Sequence, residues 1–293
     1  MSIDAIPVVA IVGPTAVGKS ALAMRMALER GGEIVSGDSM QIYRGMDVGT
    51  AKPDPDERKA VPHHLLDVAD ISEPFSAGRF LEYAEKAVRD ISGRGKLPII
   101  CGGTGLYIEL LLTGRRLSDS VPDGKLREDL FSYAEQNGAE ALHEMLRLED
   151  PDAAARIHPN NIKRVVRAIE ICRTSGLTKT EADLRSREGT SPFQPHVIRL
   201  TCPREILYER IAKRVDDMFA RGLESEVRAL CAKGLRTSPT ASQAIGYKEF
   251  YPYFDGERTL EQVREDIIAN TRHYAKRQET WFRRMHADET LEV

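Results

Sequence analysis

Gly13-Pro14-Thr15-Ala16-Val17-Gly18-Lys19-Ser20 fits the spacing G-x-x-x-x-G-K-[ST]. In that spacing, glycines let the backbone turn its N–H groups toward one point. A lysine adds a mobile positive charge, and a serine hydroxyl can hold Mg²⁺. The flanks fit the same purpose. Ile6 to Val12 is an apolar, β-branched run that reads as a buried strand. Ala21 to Leu28 is rich in helix formers, so a helix N-terminus should face the same spot. The chemistry implied is the gripping of a diphosphate or polyphosphate. It is the chemistry of nucleotide and ATP sites, but the loop alone does not fix the ligand or the reaction.

The second candidate is Asp38-Ser39-Met40-Gln41-Ile42-Tyr43. Here an acid stands beside two polar side chains just after a short strand candidate, Glu33-Ile34-Val35. Asp38 could act as a general base and orient a nitrogen or oxygen nucleophile. Gln41 could read an adenine edge with its paired donor and acceptor. A plainer reading is equally open: Asp38 closes its loop as an Asx-turn. No acid ends the strand Leu97–Cys101, which runs into Gly102-Gly103, nor His196–Thr201, which runs into Cys202-Pro203. A Walker-B acid is therefore missing, and an ATP-driven motor is disfavoured. A small-molecule kinase and a transferase with a diphosphate donor remain.

These residues need a scaffold that brings strand ends together. The first third alternates strands with helices, including a helix from Ser76 to Arg94 with Ser76 as N-cap and Gly93 as stop. Such alternation predicts an α/β fold with a parallel sheet, its ligands at the carboxyl ends of the strands. From about Leu117 to Phe193 no strand is evident. Lys125–Glu135, Ala139–Leu148 and Asn161–Thr174 read as helices, with breaks at Asp150-Pro151 and His158-Pro159. The expected division is a P-loop core from 1–116 plus 194–293, and a helical insertion from 117–193. After the strand at His196–Leu200 come helices at Arg204–Ala220 and Leu223–Lys233. A long helix through Arg284 opens with a capping box at Thr259 and Gln262.

The bulk numbers bound the class. The chain has 293 residues, 41% hydrophobic and 30% charged, with net charge −3 and four widely spaced cysteines. No apolar run reaches the roughly 20 residues of a membrane span. The start, Met1-Ser2-Ile3-Asp4, lacks a basic leader, so a cytoplasmic location is expected; a monomer is expected as well. Neither a zinc site nor a disulfide framework is indicated. The mild acidity hides two basic stripes. Lys163, Arg164, Arg167 and Arg173 face one acid, Glu170; Arg272, Lys276, Arg277, Arg283 and Arg284 face Glu279. A stripe of this kind can bind a polyanion on one face, or be a solvated helix surface. Trp281 reads as core, and His63-His64 has no partner cluster for a metal.

The order of GPTAVGKS, DSMQIY, DVGTAKP (Asp47–Pro53) and GGTGLY (Gly102–Tyr107) resembles the bacterial tRNA dimethylallyltransferases. The likeness continues through NIKRVVRAIE (Asn161–Glu170), RIAKRVDDMFARGLESEV (Arg210–Val227), QAIGYKE (Gln243–Glu249) and AKRQETW (Ala275–Trp281). It implies a P-loop NTPase-like core and transfer of a dimethylallyl group from dimethylallyl diphosphate. The acceptor would be N6 of the adenosine just 3′ of the anticodon, in tRNAs that read codons beginning with U. The product would be N6-isopentenyladenosine. The resemblance makes Asp38 the general base and lines the site with Thr104. It places Thr15 at the channel joining donor and acceptor, and sets Arg214 on the diphosphate with Lys19 and a Mg²⁺ held by Ser20. Ser39, Met40 and Gln41 would hold the flipped adenine. Ile162, Lys163, Arg164, Val165 and Val166, together with Ala244, Ile245, Gly246, Tyr247, Lys248 and Glu249, match segments that meet the anticodon stem-loop. Two other readings stay open: a P-loop kinase of small molecules, and isoprenoid transfer to a free adenine nucleotide.

Overall fold

The computed structural model describes residues 5–115 and 123–293. The expected boundary at 116/117 and the reading of Met1–Asp4 lie outside them. Packing divides the chain into two compact units, Met1–Leu112 with Ser191–Val293, and Thr113–Thr190.

The first unit begins with β1 (Ile6–Val12), α1 (Lys19–Arg30), β2 (Gly32–Ser36), α2 (Pro55–Ala60), β3 (His63–His64), α3 (Ala77–Gly93), β4 (Leu97–Cys101) and α4 (Gly105–Thr113). The second unit holds α5 (Gly124–Asn137), α6 (Ala139–Glu149), α7 (Pro151–Arg156), α8 (Ile162–Ser175) and α9 (Lys179–Ser186). The chain then returns to the first unit through β5 (Phe193–Thr201), α10 (Arg204–Ala220), α11 (Leu223–Ala232), α12 (Phe250–Phe254), α13 (Leu260–Arg284) and β6 (Glu289–Glu292).

All six strands are parallel, in the order β3-β2-β4-β1-β5-β6. Val8 to Val12 of β1 are all buried, because helices cover both faces of a central parallel strand. Chain order leaves β1 for β2 on one side and reaches β5 on the other. The loops after β1, β2 and β4 therefore meet over the carboxyl ends of the strands, where such sheets bind ligands. The turn out of β1 depends on Gly13 at φ 146°, where an added Cβ would sit 2.6 Å from the Leu200 carbonyl oxygen.

Helix starts follow their sequence signals. Ser76 accepts from Arg79 N at the start of α3, and Thr259 and Gln262 close the capping box of α13. The break read at Asp150-Pro151 is present: α6 ends at Glu149, and Pro151 opens α7 at a position where its missing N–H costs nothing, with Asp150 capping that helix by accepting from Ala153 N. Two other points differ from the sequence reading. Trp281 is not core but 37% exposed. The edge strands β3 and β6 went unread, one being two residues long and the other exposed throughout.

In the second unit Leu130, Leu142, Leu146, Val165, Val166 and Ile169 form a separate core. Among the described residues no strand occurs in it. Glu170 is fully buried and takes Arg127, Arg167 and the Asp123 N–H, which ties α8 to α5.

Candidate functional site

The P-loop wraps the start of α1. Gly18 sits at φ 101° as its N-cap, and Ser20 is exposed in the first turn. A cavity of about 310 Å³ is lined by Ala16, Gly18, Lys19, Ser20, Ala21, Arg210 and Arg214. Lys19 Nζ donates to the Gly13 and Pro14 carbonyls at 2.9 and 2.6 Å. Arg214, on α10, makes one hydrogen bond among the described residues, from Nη2 to the Thr50 carbonyl at 3.4 Å. Neither cation has a carboxylate in ion-pair range among the described residues. Burial lowers Lys19 to about 8, and the Arg214 charge acts in the same direction. Burial lowers Arg214 as well. The Asp38 charge opposes both shifts from beyond ion-pair range, so two desolvated cations that it only partly offsets, at a helix N-terminus, make a strong anion site.

Arg214 also lines an adjoining cavity of about 260 Å³, shared with Thr15, Asp38, Ser39, Met40, Gly49, Thr50, Ala244, Ile245, Gly246, Lys248 and Tyr274. Its apolar wall comes from Ile211, Val215 and Met218 on α10 and Ile267 on α13. Asp38 forms the Asx-turn foreseen as its plainer role, with Oδ1 accepting from Met40 N at 2.8 Å and Gln41 N at 3.4 Å. The same side chain lines the cavity, and Oδ2 makes no hydrogen bond among the described residues. One oxygen thus fixes the carboxylate while the other stays available. Thr104 Oγ1 accepts from Ser39 N at 2.9 Å, so Thr104 steadies the Asp38 loop from beneath.

Several sequence-assigned side chains are engaged elsewhere. The Gln41 amide accepts from Ser36 Oγ and donates to the Thr50 and Ala51 carbonyls, which corrects its reading as a base contact. Tyr247 is fully buried, and Glu249 is 7% exposed with its carboxylate on Gly246 N and Asn270. Both pack behind the cavity, while Ala244, Ile245, Gly246 and Lys248 line it. In α8, Val165 and Val166 are buried in their own unit's core, so their side chains cannot touch a ligand. Ile162 packs partly on that core, whereas Lys163 and Arg164 are exposed. Arg167 and Arg173 are spent on Glu170 and Glu149. Within the stripe, Lys163 and Arg164 are thus the cations without a carboxylate partner among the described residues.

Sequence reading missed two members contributed by α13. Gln278, 5% exposed, accepts from Thr15 N and donates to the Gly103 carbonyl, both at 2.8 Å. Tyr274 Oη donates to the Gly103 carbonyl at 3.5 Å, and burial together with the Asp38 charge pushes its phenol up to about 12. Only the AKRQETW match pointed to Gln278, and it gave no role.

The IPP transferase family model matches residues 41–285. The chain belongs to the IPP transferase family. It is 52% identical over 276 residues to the tRNA dimethylallyltransferase of Geobacillus thermodenitrificans, covering 94% of this chain and 87% of that one. It is 48% identical over 277 residues to that of Bacillus subtilis, covering 94% and 88%. Among solved structures, the full-length tRNA isopentenylpyrophosphate transferase from Bacillus halodurans superposes with TM-score 0.72 at 44% identity, covering 98% of this chain and 89% of that one. A eukaryotic dimethylallyltransferase acting on tRNA gives TM-score 0.81 at 31% identity, covering 98% and 74%. Members of this family share the P-loop α/β core seen here. Among the described residues no helix is long and apolar enough to cross a membrane.

Proposed function

We propose that this chain transfers the dimethylallyl group of dimethylallyl diphosphate to N6 of the adenosine just 3′ of the anticodon in tRNA. The observation that carries this reading is the pair Lys19 and Arg214. Both are cations with no carboxylate in ion-pair range among the described residues, they sit in a P-loop cavity, and that cavity adjoins the one holding Asp38. A diphosphate in the first cavity would leave its allylic carbon at the apolar wall of the second.

The allylic C–O bond breaks as negative charge gathers on the diphosphate. The Lys19 ammonium, the Arg214 guanidinium and the P-loop N–H groups stabilise that charge where it forms. N6 of adenosine bonds to the allylic carbon, and its proton passes to Asp38 Oδ2. Diphosphate leaves, and the carboxyl returns its proton to water. The walls of Ile211, Val215, Met218 and Ile267 keep water from the developing cation.

Mg²⁺ fits the donor set: the exposed Ser20 hydroxyl offers one ligand, and diphosphate oxygens and water complete the shell this ion prefers. No cluster of three or more His, Cys, Asp or Glu side chains competes for it among the described residues. Bound there, the ion would neutralise leaving-group charge. Lys163 and Arg164 would add RNA affinity through phosphate contacts. A cytoplasmic monomer fits this activity.

The test incubates the protein with Mg²⁺, dimethylallyl diphosphate and unmodified tRNA bearing that adenosine, with AMP-only and ATP-only controls, and reads nucleoside mass. A gain of one dimethylallyl group on tRNA is the expected result. The same gain on AMP alone would move the acceptor to a free nucleotide. Phosphate release from ATP without any isoprenoid transfer would replace the reading with a kinase.

A further inference from the structure

The loop Asp47–Thr50 presents three backbone N–H groups in succession to a single carboxylate. Glu226, on α11, accepts from Asp47 N at 3.0 Å and Val48 N at 2.7 Å with Oε2, and from Gly49 N at 3.1 Å with Oε1. Oε1 also accepts from Tyr247 Oη at 2.7 Å. Burial, reinforced by the Glu226 charge, holds the Tyr247 phenol well above its ordinary range, so it remains a donor. The same ring closes the loop's other side, since a Cβ on Gly49 would lie 2.5 Å from it. Farther along, the buried Lys52 ammonium reaches Asp47 at 2.8 Å and Asp67 at 2.6 Å. The segment is therefore held from both ends.

What the clamp holds faces the site. Gly49 and Thr50 line the cavity with Asp38 and Arg214. The Thr50 carbonyl takes Arg214 Nη2 at 3.4 Å and Gln41 Nε2 at 3.2 Å. It is the sole hydrogen-bond acceptor of the Arg214 side chain among the described residues. We infer that Glu226 is a positioning residue: by clamping residues 47–49 it sets the Thr50 carbonyl, and through it the guanidinium that meets the diphosphate. This rests on the reading of Arg214 as a diphosphate ligand.

Glu226→Gln tests it, because the amide NH₂ must confront either Gly49 N or the pair Asp47 N and Val48 N. The measurement is pyrophosphate affinity by calorimetry near neutral pH with Mg²⁺, in the wild type, Glu226→Gln, Arg214→Ala and the double variant. The expected result is about tenfold weaker binding for Glu226→Gln, from one misdirected charge-assisted hydrogen bond. In the Arg214→Ala background that loss disappears, a non-additivity that a general packing defect would not produce. Undiminished affinity in Glu226→Gln, or an equal loss in both backgrounds, overturns the positioning role. A wild type that does not bind pyrophosphate at all overturns the diphosphate reading first and this inference with it. Should Glu226→Gln fail to fold, Tyr247→Phe keeps the carboxylate and its three backbone bonds. It should show a smaller loss that likewise vanishes without Arg214.

Discussion

Thr15 and Gln278 stand 263 positions apart, yet the Gln278 amide oxygen takes the Thr15 N–H at 2.8 Å. Its nitrogen donates to the Gly103 carbonyl at the same distance. One side chain from α13 therefore joins the loops after β1 and β4. Gln278→Leu removes both bonds, leaving the part-buried Thr15 N–H without its acceptor and the Gly103 carbonyl with only the longer 3.5 Å bond from Tyr274 Oη. A loss of about 1–3 kcal/mol in stability is expected by urea unfolding. Gln278→Glu can still accept from Thr15 but sets an anion against the Gly103 oxygen, so it should bind dimethylallyl diphosphate more weakly than Gln278→Leu. Equal affinity for the two variants would show that Gly103 does not sense this side chain.

Lys19 gives the site a pH dependence with a definite sign. Burial sets its free-state pKa at about 8, against 10.5 for an ordinary lysine. A bound diphosphate favours the charged form and raises that value. Binding above pH 8 should therefore take up a proton, with affinity falling up to about tenfold per pH unit. Folding responds oppositely: the unfolded lysine binds more protons between pH 8 and 10.5, so Lys19's share of stability rises with pH there. Calorimetry with a non-cleavable dimethylallyl diphosphate analogue, in buffers of differing ionisation heat, reads the uptake directly. Lys19→Met should abolish it; uptake persisting in that variant would assign the proton to another group.

Much of this arrangement was legible in the sequence because its signals are local. The P-loop spacing, the buried runs of β1, β2, β4 and β5, and the caps at Ser76 and Thr259 each follow from a few adjacent residues. The Asx-turn at Asp38 belongs with them. What stayed hidden depends on distant partners. Nothing near Gln278 marks it as a bridge, and nothing near Glu226 shows that it serves residues 47–49. Gln41 looked like a base reader by type, but Ser36 and two carbonyls had already taken its amide. Val165 and Val166 share a basic helix with Lys163 and Arg164, and only packing separates the buried face from the exposed one. Trp281 misled because aromatic size suggests burial, while its place near the end of α13 leaves it 37% exposed.

Asp38→Asn separates the two roles of that carboxylate. The amide oxygen can still accept from Met40 N, so the turn survives, but the group no longer takes a proton. The single-turnover rate should fall by about 10²–10⁴ while tRNA affinity stays within twofold or so. Asp38→Ala should lose the turn as well and weaken the fold of the loop. A near-normal rate in Asp38→Asn would remove Asp38 as the base.

Lys163 and Arg164 are the exposed cations of α8 that no carboxylate pairs with among the described residues, whereas Arg173 is paired with Glu149 at 2.7 Å. Cations that touch phosphate release counterions, so each one lost should flatten the slope of log affinity against log salt. Lys163→Ala with Arg164→Ala should reduce that slope by roughly one to two units and weaken tRNA binding at low salt. Affinity for dimethylallyl diphosphate should not change, because these residues lie outside both cavities. Arg173→Ala serves as the control: its charge is already balanced, so the slope should stay as it is. If the double variant keeps the wild-type slope, this face of α8 is solvated surface, and the RNA-binding charge lies elsewhere, with the α13 stripe next to be tested.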